Sequence, residues 1–387
     1  MSKMHCDQKP PRGQHACYEL GITSQSKHLC GLCADGAERT THHFRAHIKK
    51  SERYHRKRPV CRLQIAMAHF SGDASFLGLT SERELNAHID RELQMTESDR
   101  VRYNRVLDGL YRTLQTEYNN LTVNRMVKGG SYGRGTALKD RSDLDVVLFF
   151  NGIPSMRDFL AQQSRIIGHV ATTLERSQWA RDNGVCQVRA QQNAATLSLK
   201  LSGGHQMDVD IVPAFDNLGP LNEKRKREEV YRAMRGDPEP PYKYSASFIG
   251  LQVDFVRDRP ARLKNLIRLV KSWKKEQDVQ YGKLGSSWLW ELITIHVWEN
   301  KLGRRTDFNM GLAFKRVMET VTNHSSLKAW WNMYYDGSER LSTSERPLVL
   351  DPANPWHNVA SSCSATGWGH IQRAAREALQ SSLLKSL

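Results

Sequence analysis

Asp143 and Asp145 stand one residue apart at the mouth of "LDVVLFF", an apolar run with the length and composition of a buried strand. Side chains alternate along a strand, so both carboxylates point one way while Leu144 points into the core. Two ionised carboxylates this close repel each other, and a divalent cation removes that penalty. Mg²⁺ is commonly held by one or two carboxylates together with substrate phosphates. A third carboxylate on a neighbouring strand completes a two-ion clamp, with ions roughly 3.5–4 Å apart, that stabilises attacking and leaving oxygens. "MDVDIVPAF" offers Asp208 and Asp210, again on one face. Upstream, Gly129-Gly130-Ser131 makes a turn whose backbone can approach phosphates closely, with amides and the Ser131 hydroxyl as donors. The chemistry that suits these residues is nucleotidyl transfer. A hydroxyl attacks the α-phosphate of a nucleoside triphosphate, and pyrophosphate leaves. An Asp-x-Asp pair alone is a weak signal, because most such pairs are solvated strand ends. A glycine turn, the pair and a later apolar-Asp-apolar strand, in that order, are far more specific.

The elements that must position these residues are readable nearby. "TSERELNAHIDREL" opens with a capping-box pattern, Ser81 and Glu84, and carries Leu85, Ile89 and Leu93 on one helical face. A second helix starts near Thr96, with Val106, Leu110 and Leu114 on one face. "NRMVK" and "LDVVLFF" read as strands on either side of the glycine turn, and "SMRDFLAQQSRIIGHVATTLERS" as an amphipathic helix. "ATLSLKL" and "MDVDIVPAF" read as strands, the former with Leu197, Leu199 and Leu201 alternating. After about residue 245 the strand signals stop and four helical stretches follow. The expected fold class is α+β, with a mixed-sheet lobe carrying long helices over 76–245 and a helical lobe over 246–387. A cleft between two lobes is a usual ligand site.

The chain has 387 residues and a formal net charge of +16. That surplus favours a polyanionic partner and says nothing about fold. No run is long and apolar enough for a membrane span. The first residues lack the apolar core of a signal peptide, and the last carry no prenylation signal. The expected location is cytoplasmic, with the nucleus as the alternative. There are seven cysteines, an odd number, and Cys6, Cys17, Cys30, Cys33 and Cys61 crowd the start, unlike a secreted disulfide framework.

The glycine turn, the Asp pair and the later strand together resemble the signature of the DNA polymerase β-like nucleotidyltransferase superfamily. In more detail, the chain from about residue 80 resembles the 2′-5′-oligoadenylate synthase family. "VKGGSYGRGTALKDRSDLDVVLFF", "DVDIVPAFDNLGPL", "DFVRDRPARLKNLIRLVKSWKK", "GKLGSSWLWELITIHVWE" and "PLVLDPANPWHNV" carry the likeness, in family order. The resemblance implies the two-lobed nucleotidyltransferase fold and synthesis of 2′-5′-linked oligoadenylates from ATP, with two Mg²⁺ ions, after binding double-stranded RNA. Carried over by position, Asp143, Asp145 and Asp210 would be the catalytic and metal-holding triad. Gly130 and Ser131 would meet the donor triphosphate, and Arg268 and Lys271 would bind phosphates. Ser287 and Trp288 stand where vertebrate members carry Gln-Tyr. An aromatic face there can still stack on adenine, but the lost amide weakens the case for strict adenine selection. Related cyclic dinucleotide synthases resemble Ser-aromatic at this point, which keeps that activity open. A catalytically inactive RNA-binding sensor and a template-independent RNA tailing enzyme stay open as well. Asn354 replaces an Asp common in the family. Lys128, Arg134, Arg257 and Arg262 fall where the family places RNA-contacting or RNA-responsive basic residues. RNA binding in the family is coupled to closure of the active-site cleft. The expected oligomeric state is a monomer.

Residues 1–75 lie outside the resemblance. Cys30 and Cys33, followed by His42, His43 and His47, have the ligand types of a zinc site, but the gap between Cys33 and His42 is shorter than in a standard finger. The preferred reading is a disordered basic arm able to attract RNA through residues such as Lys49, Lys50 and Arg53.

Overall fold

The computed structural model describes residues 76–387, apart from 116, 119–120, 140–142, 201–205, 220–222 and 386. The Cys30, Cys33, His42, His43 and His47 cluster falls outside the described residues. In chain order the elements are α1 (Glu82–His88), α2 (Glu97–Leu114), β1 (Glu117–Tyr118), β2 (Leu121–Lys128), α3 (Gly130–Arg134) and β3 (Leu144–Asn151). Then come α4 (Met156–Arg176), α5 (Gln178–Asp182), β4 (Val185–Ala190), β5 (Ala195–Lys200), β6 (Gln206–Ala214) and α6 (Lys224–Met234). The rest is α7 (Ile249–Arg257), α8 (Ala261–Tyr281), α9 (Ser287–Lys301), α10 (Met310–Thr322), β7 (Lys328–Ala329), β8 (Leu348–Asp351), β9 (Asn354–Asn358), α11 (Ala365–Leu379) and α12 (Ser382–Lys385).

Local chemistry explains several boundaries. Ser81 caps α1 in a full capping box with Glu84, and Thr96 caps α2 in another with Asp99. Ser155 accepts from Asp158 N at the start of α4. The main sheet has the order β1-β2-β3-β6-β5-β4. Its centre is β3, antiparallel to β2 and parallel to β6. Val146 to Phe150 are all buried, as a strand covered on both faces requires. α4 packs across β4, β5 and β6, and α2 packs on α4.

Two apolar cores result. One lies between the sheet and its helices and includes Leu107, Leu110, Leu148, Val170, Leu197 and Val209. The other, in the helical lobe, includes Leu266, Trp273, Trp290, Phe314 and Trp368. Phe76, Leu85, Ile89 and Leu93 belong to this second core although they precede the sheet in sequence. The Glu82 carboxylate fastens that arrangement. It accepts from the amides of Met310 (2.7 Å) and Gly311 (3.2 Å) at the start of α10, and from Arg262 (2.8 Å).

The helical lobe also departs from the sequence-based expectation that strands end near residue 245. A small sheet of order β7-β8-β9 is present. Its strands span two to five residues, too short to show a period of two. Among the described residues no helix is long and apolar enough to cross a membrane.

Candidate active site

The β3–β6 register sets the geometry. Asp145 lies directly opposite Asp210 on the parallel neighbour, and Leu144 lies opposite Val209. Asp143 immediately precedes β3 on the same face as Asp145. Asp210 is braced by the Thr196 hydroxyl, which donates to its Oδ1 at 2.5 Å. Asp208 takes the corresponding bond from Ser198 (2.5 Å), and Arg189 stands 3.9 Å away. The register thus sets Asp210, not Asp208, beside Asp145.

The carboxylates strain against one another. Burial pushes the Asp145 pKa up to about 6, and Asp210 and Asp143 add to the shift against the pull of Arg134 and Lys271. Asp143 is open to solvent on one side and enclosed by protein on the other. Partial desolvation raises it first, then the charges of Asp208 and Asp210, with Lys275 opposing. An edge of oxygen donors that resist ionisation without a counter-charge suits a hard divalent cation. Asp143, Asp145 and Asp210 would hold it. Among the described residues no three His, Cys, Asp or Glu side chains are drawn into a closed ligand set, so the triad is aligned on adjacent strands rather than converged.

The glycine turn presses on this edge. Gly129 N donates to Asp145 O at 2.8 Å. Gly130 has φ +53°, and a Cβ there would lie 1.7 Å from Asp145 Oδ2. Only glycine fits both the dihedral and the space. Ser131 follows, buried in the first turn of α3.

The cations near the site are mostly committed to the protein. Glu291 is fully buried and takes Arg134 as a fork (2.8 and 3.1 Å) and Lys271 (3.2 Å). Burial opposes the Glu291 charge, but Arg134 and Lys271 hold its pKa down at about 2. Lys271 also donates to Thr136 O (3.0 Å), and Arg268 donates to Gly135 O (2.6 Å) and Ala137 O (3.1 Å). These two side chains staple α8 to the loop after α3. Burial first, then Arg100, lowers the Arg268 pKa to about 10. Lys275, one turn beyond Lys271, is only half-buried and acts on Asp143. The spacing of Arg268, Lys271 and Lys275 on one helix face was the available signal for it. Ser287 opens α9. Trp288 is half-buried, with its indole N–H donated to Asp351 Oδ2 (3.1 Å) and the Arg134 guanidinium over its ring at 4.5 Å.

The four residues expected on an RNA face do not share one surface. Arg134 is 5% exposed and locked to Glu291, so it is not available to a phosphate in this structure and is withdrawn from that face. Arg262 is half-buried between Glu82 and the carbonyl of Phe308 (2.6 Å), where it serves packing. Lys128 and Arg257 do come together. They line a concavity of about 1040 Å³ that also holds Arg100, Arg259 and Lys264, which sequence reading did not single out. Lys128 donates to Asn104 (2.8 Å), and Arg257 is exposed and pairs with Asp254 (2.9 Å). Tyr132, Gly133 and Gly135 form part of the same wall. The short helix α3 therefore has Gly130 against Asp145 at one end and basic cavity along its other side.

Comparison with known proteins follows the same outline. The family profile described as "2′-5′-oligoadenylate synthetase 1, domain 2, C-terminus" matches residues 224–387, and the "Nucleotidyltransferase domain" profile matches residues 108–234. The chain is 35% identical to the 2′-5′-oligoadenylate synthase 1A of Mus musculus over 290 residues, covering 69% of this chain and 77% of that protein. It is 33% identical to the 1A protein of Rattus norvegicus, covering 70% and 80%. It is 36% identical to the inactive 2′-5′-oligoadenylate synthase 1B of Mus musculus, covering 66% and 73%. Among solved structures, E. coli MS115-1 CdnC in complex with HORMA-deltaN has the same fold, with TM-score 0.53 and 19% identity over 76% of this chain and 88% of that one.

Proposed function

The chain belongs to the 2′-5′-oligoadenylate synthase family and is a nucleotidyltransferase, and we propose that it polymerises ATP into 2′-5′-linked oligoadenylates when double-stranded RNA binds. The observation that carries this reading is the in-register Asp145–Asp210 pair with the Gly130 backbone against it. Asp143, Asp145 and Asp210 would hold two Mg²⁺ ions, which when bound supply charge neutralisation at the triphosphate. Gly130 and Ser131 offer backbone and hydroxyl donors to the donor triphosphate. Lys275, whose charge acts on Asp143, is placed to meet the same phosphates. The acceptor 2′-hydroxyl attacks the donor α-phosphorus. A new P–O bond forms, the bond to the bridging oxygen breaks, and pyrophosphate leaves. Asp210, held by Thr196, accepts the hydroxyl proton. Trp288, held by Asp351 and with the Arg134 guanidinium over its ring, offers an aromatic and guanidinium surface for a base.

Lys128, Arg100, Arg257 and Lys264 would meet RNA phosphates. A-form RNA is read largely by shape, 2′-hydroxyls and charge, which a broad basic concavity suits. Because α3 lies between that concavity and the triad, RNA seated on it biases the population towards converged carboxylates. The reading includes a monomer in the cytoplasm or nucleus and a role in sensing foreign RNA. A second reading, an inactive RNA-binding member, is favoured by the similarity to a relative named inactive. Asp145→Asn separates the two. On the synthase reading it abolishes a product that the unaltered protein makes, and RNA affinity stays within about twofold. No product from the unaltered protein would favour the inactive reading. Loss of RNA affinity would contradict the division into triad and RNA face.

A further inference from the structure

Away from the triad, α6, residues 332–336, Arg340 and the Pro355-Trp356 turn line a second, open cavity of about 810 Å³. Its wall carries five cations, Lys224, Arg227, Arg232, Arg235 and Arg340, against two carboxylates, Glu228 and Asp336. Glu228 stands 3.8 Å from Lys224, Arg340 donates to Glu345 Oε1 at 3.4 Å, and Asp336 accepts from Ser338 N (2.9 Å) and Oγ (2.6 Å), which leaves a positive surplus carried by Arg227, Arg232 and Arg235. The guanidinia lie on aromatic faces. Arg227 is 5.3 Å from the Tyr334 ring centre, and Trp356 has Arg235 at 5.0 Å and Arg340 at 5.5 Å. Trp356 is itself fixed, donating Nε1–H to Tyr231 O at 3.2 Å.

We propose that this cavity is a binding site for a nucleoside 5′-polyphosphate, separate from the site of nucleotidyl transfer. Guanidinium forks match phosphate oxygens, and paired aromatic and guanidinium planes stack on bases without regard to sequence. The volume falls within the roughly 300–1,000 Å³ of small-ligand sites. Four guanidinia gathered about two aromatic rings suit the clustered phosphates and base of one nucleotide better than the spaced backbone phosphates of a duplex, which is read over many base pairs. A bare phosphate would leave the aromatic wall without a role. One connection leads to the catalytic region. Tyr335, in the cavity wall, donates its hydroxyl to Asp351 O at 2.5 Å, and Asp351 Oδ2 holds the Trp288 indole. A ligand on this wall therefore sits two hydrogen bonds from Trp288. The same chemistry has two sources, a free nucleoside triphosphate or the triphosphate end of a short oligonucleotide.

The test is photo-labelling with 8-azido-ATP and, in a second arm, with a 5′-triphosphorylated adenylate trimer carrying 8-azidoadenosine at its 5′ end. Labelled peptides are mapped by mass spectrometry in the unaltered chain and in R232E/R235E, whose altered residues are exposed. The expected result is labelling within residues 330–340 or 353–358, competed by the unlabelled form of the probe and reduced at least about tenfold in the variant. Labelling around Trp288 should persist, which also shows that the variant is folded. Labelling by 8-azido-ATP identifies the free nucleotide as a ligand, and labelling by the trimer alone identifies the oligonucleotide end. No wall labelling in either arm, or labelling unmoved by R232E/R235E, would overturn the proposal. Labelling blocked by duplex RNA but by no nucleotide would also overturn it and assign the cavity to RNA. Absence of labelling near Trp288 in the unaltered chain would count against the catalytic reading and leave the cavity's own test intact.

Discussion

Asp145 has to be ionised to hold a cation, yet its surroundings favour the neutral form. An unperturbed Asp titrates near 3.8, and here the value is about 6, chiefly through burial. Between those values the folded chain binds more protons than the unfolded one, so stability falls as pH rises through this window. The cost is fully present above about pH 6 and absent below about 4. Asp145→Asn should therefore raise the unfolding temperature at about pH 7.5 in Mg²⁺-free buffer, by the equivalent of about 3 kcal/mol, and give no gain at about pH 4. An equal shift at both pH values would contradict the account. Gly130→Ala forces a Cβ onto Asp145 Oδ2. It should cut kcat at least about 100-fold while the far-ultraviolet spectrum is retained, because small displacements of catalytic groups are expensive. The glycine turn read as a phosphate cradle and not as a neighbour of the Asp145 carboxylate, while the shared face of Asp143 and Asp145 was legible in the sequence, since strand alternation is local. The fate of Arg134 was not, because its partner Glu291 lies 157 residues away.

α3, α8 and α9 meet at the buried Arg134–Glu291–Lys271 group. Removing the carboxylate strands two buried cations, so Glu291→Gln should destabilise the protein by about 3–5 kcal/mol, measured by denaturant unfolding. A change below about 1 kcal/mol would mean that water reaches the group. Most element types in the sheet lobe followed from periodicity and caps, and the Ser81–Glu84 box closes as its spacing predicts, but the edge strand β4, the helix α6 and the helical form of Gly130–Arg134, read as a turn, did not. The small β7-β8-β9 sheet was invisible because each strand is too short to show a readable period. The placing of α1 in the helical core was hidden for a different reason. Its apolar face announces burial but not the partner, and the Glu82–Arg262–α10 contacts join residues 180 or more positions apart.

For the whole molecule, basic side chains of the described residues gather on at least two concave surfaces, of which one adjoins α3 and the other does not. Composition announced a polyanionic partner, but only the fold separates the two. If the first surface meets RNA phosphates, affinity should fall steeply with salt. Arg257→Glu with Lys264→Glu should then flatten the slope of log K against log salt by roughly 2. The same double variant should remove RNA activation without altering the triad. Unchanged affinity across salt would place the RNA elsewhere. The central claim is best met by one experiment. The purified chain is incubated with labelled ATP, GTP and Mg²⁺, with and without long double-stranded RNA, and the products are separated after treatment with a 3′-5′-specific nuclease and with phosphatase. The account predicts an adenylate ladder that resists the nuclease and forms only with RNA. A single phosphatase-resistant species containing guanine, or no product while RNA still binds, would contradict it.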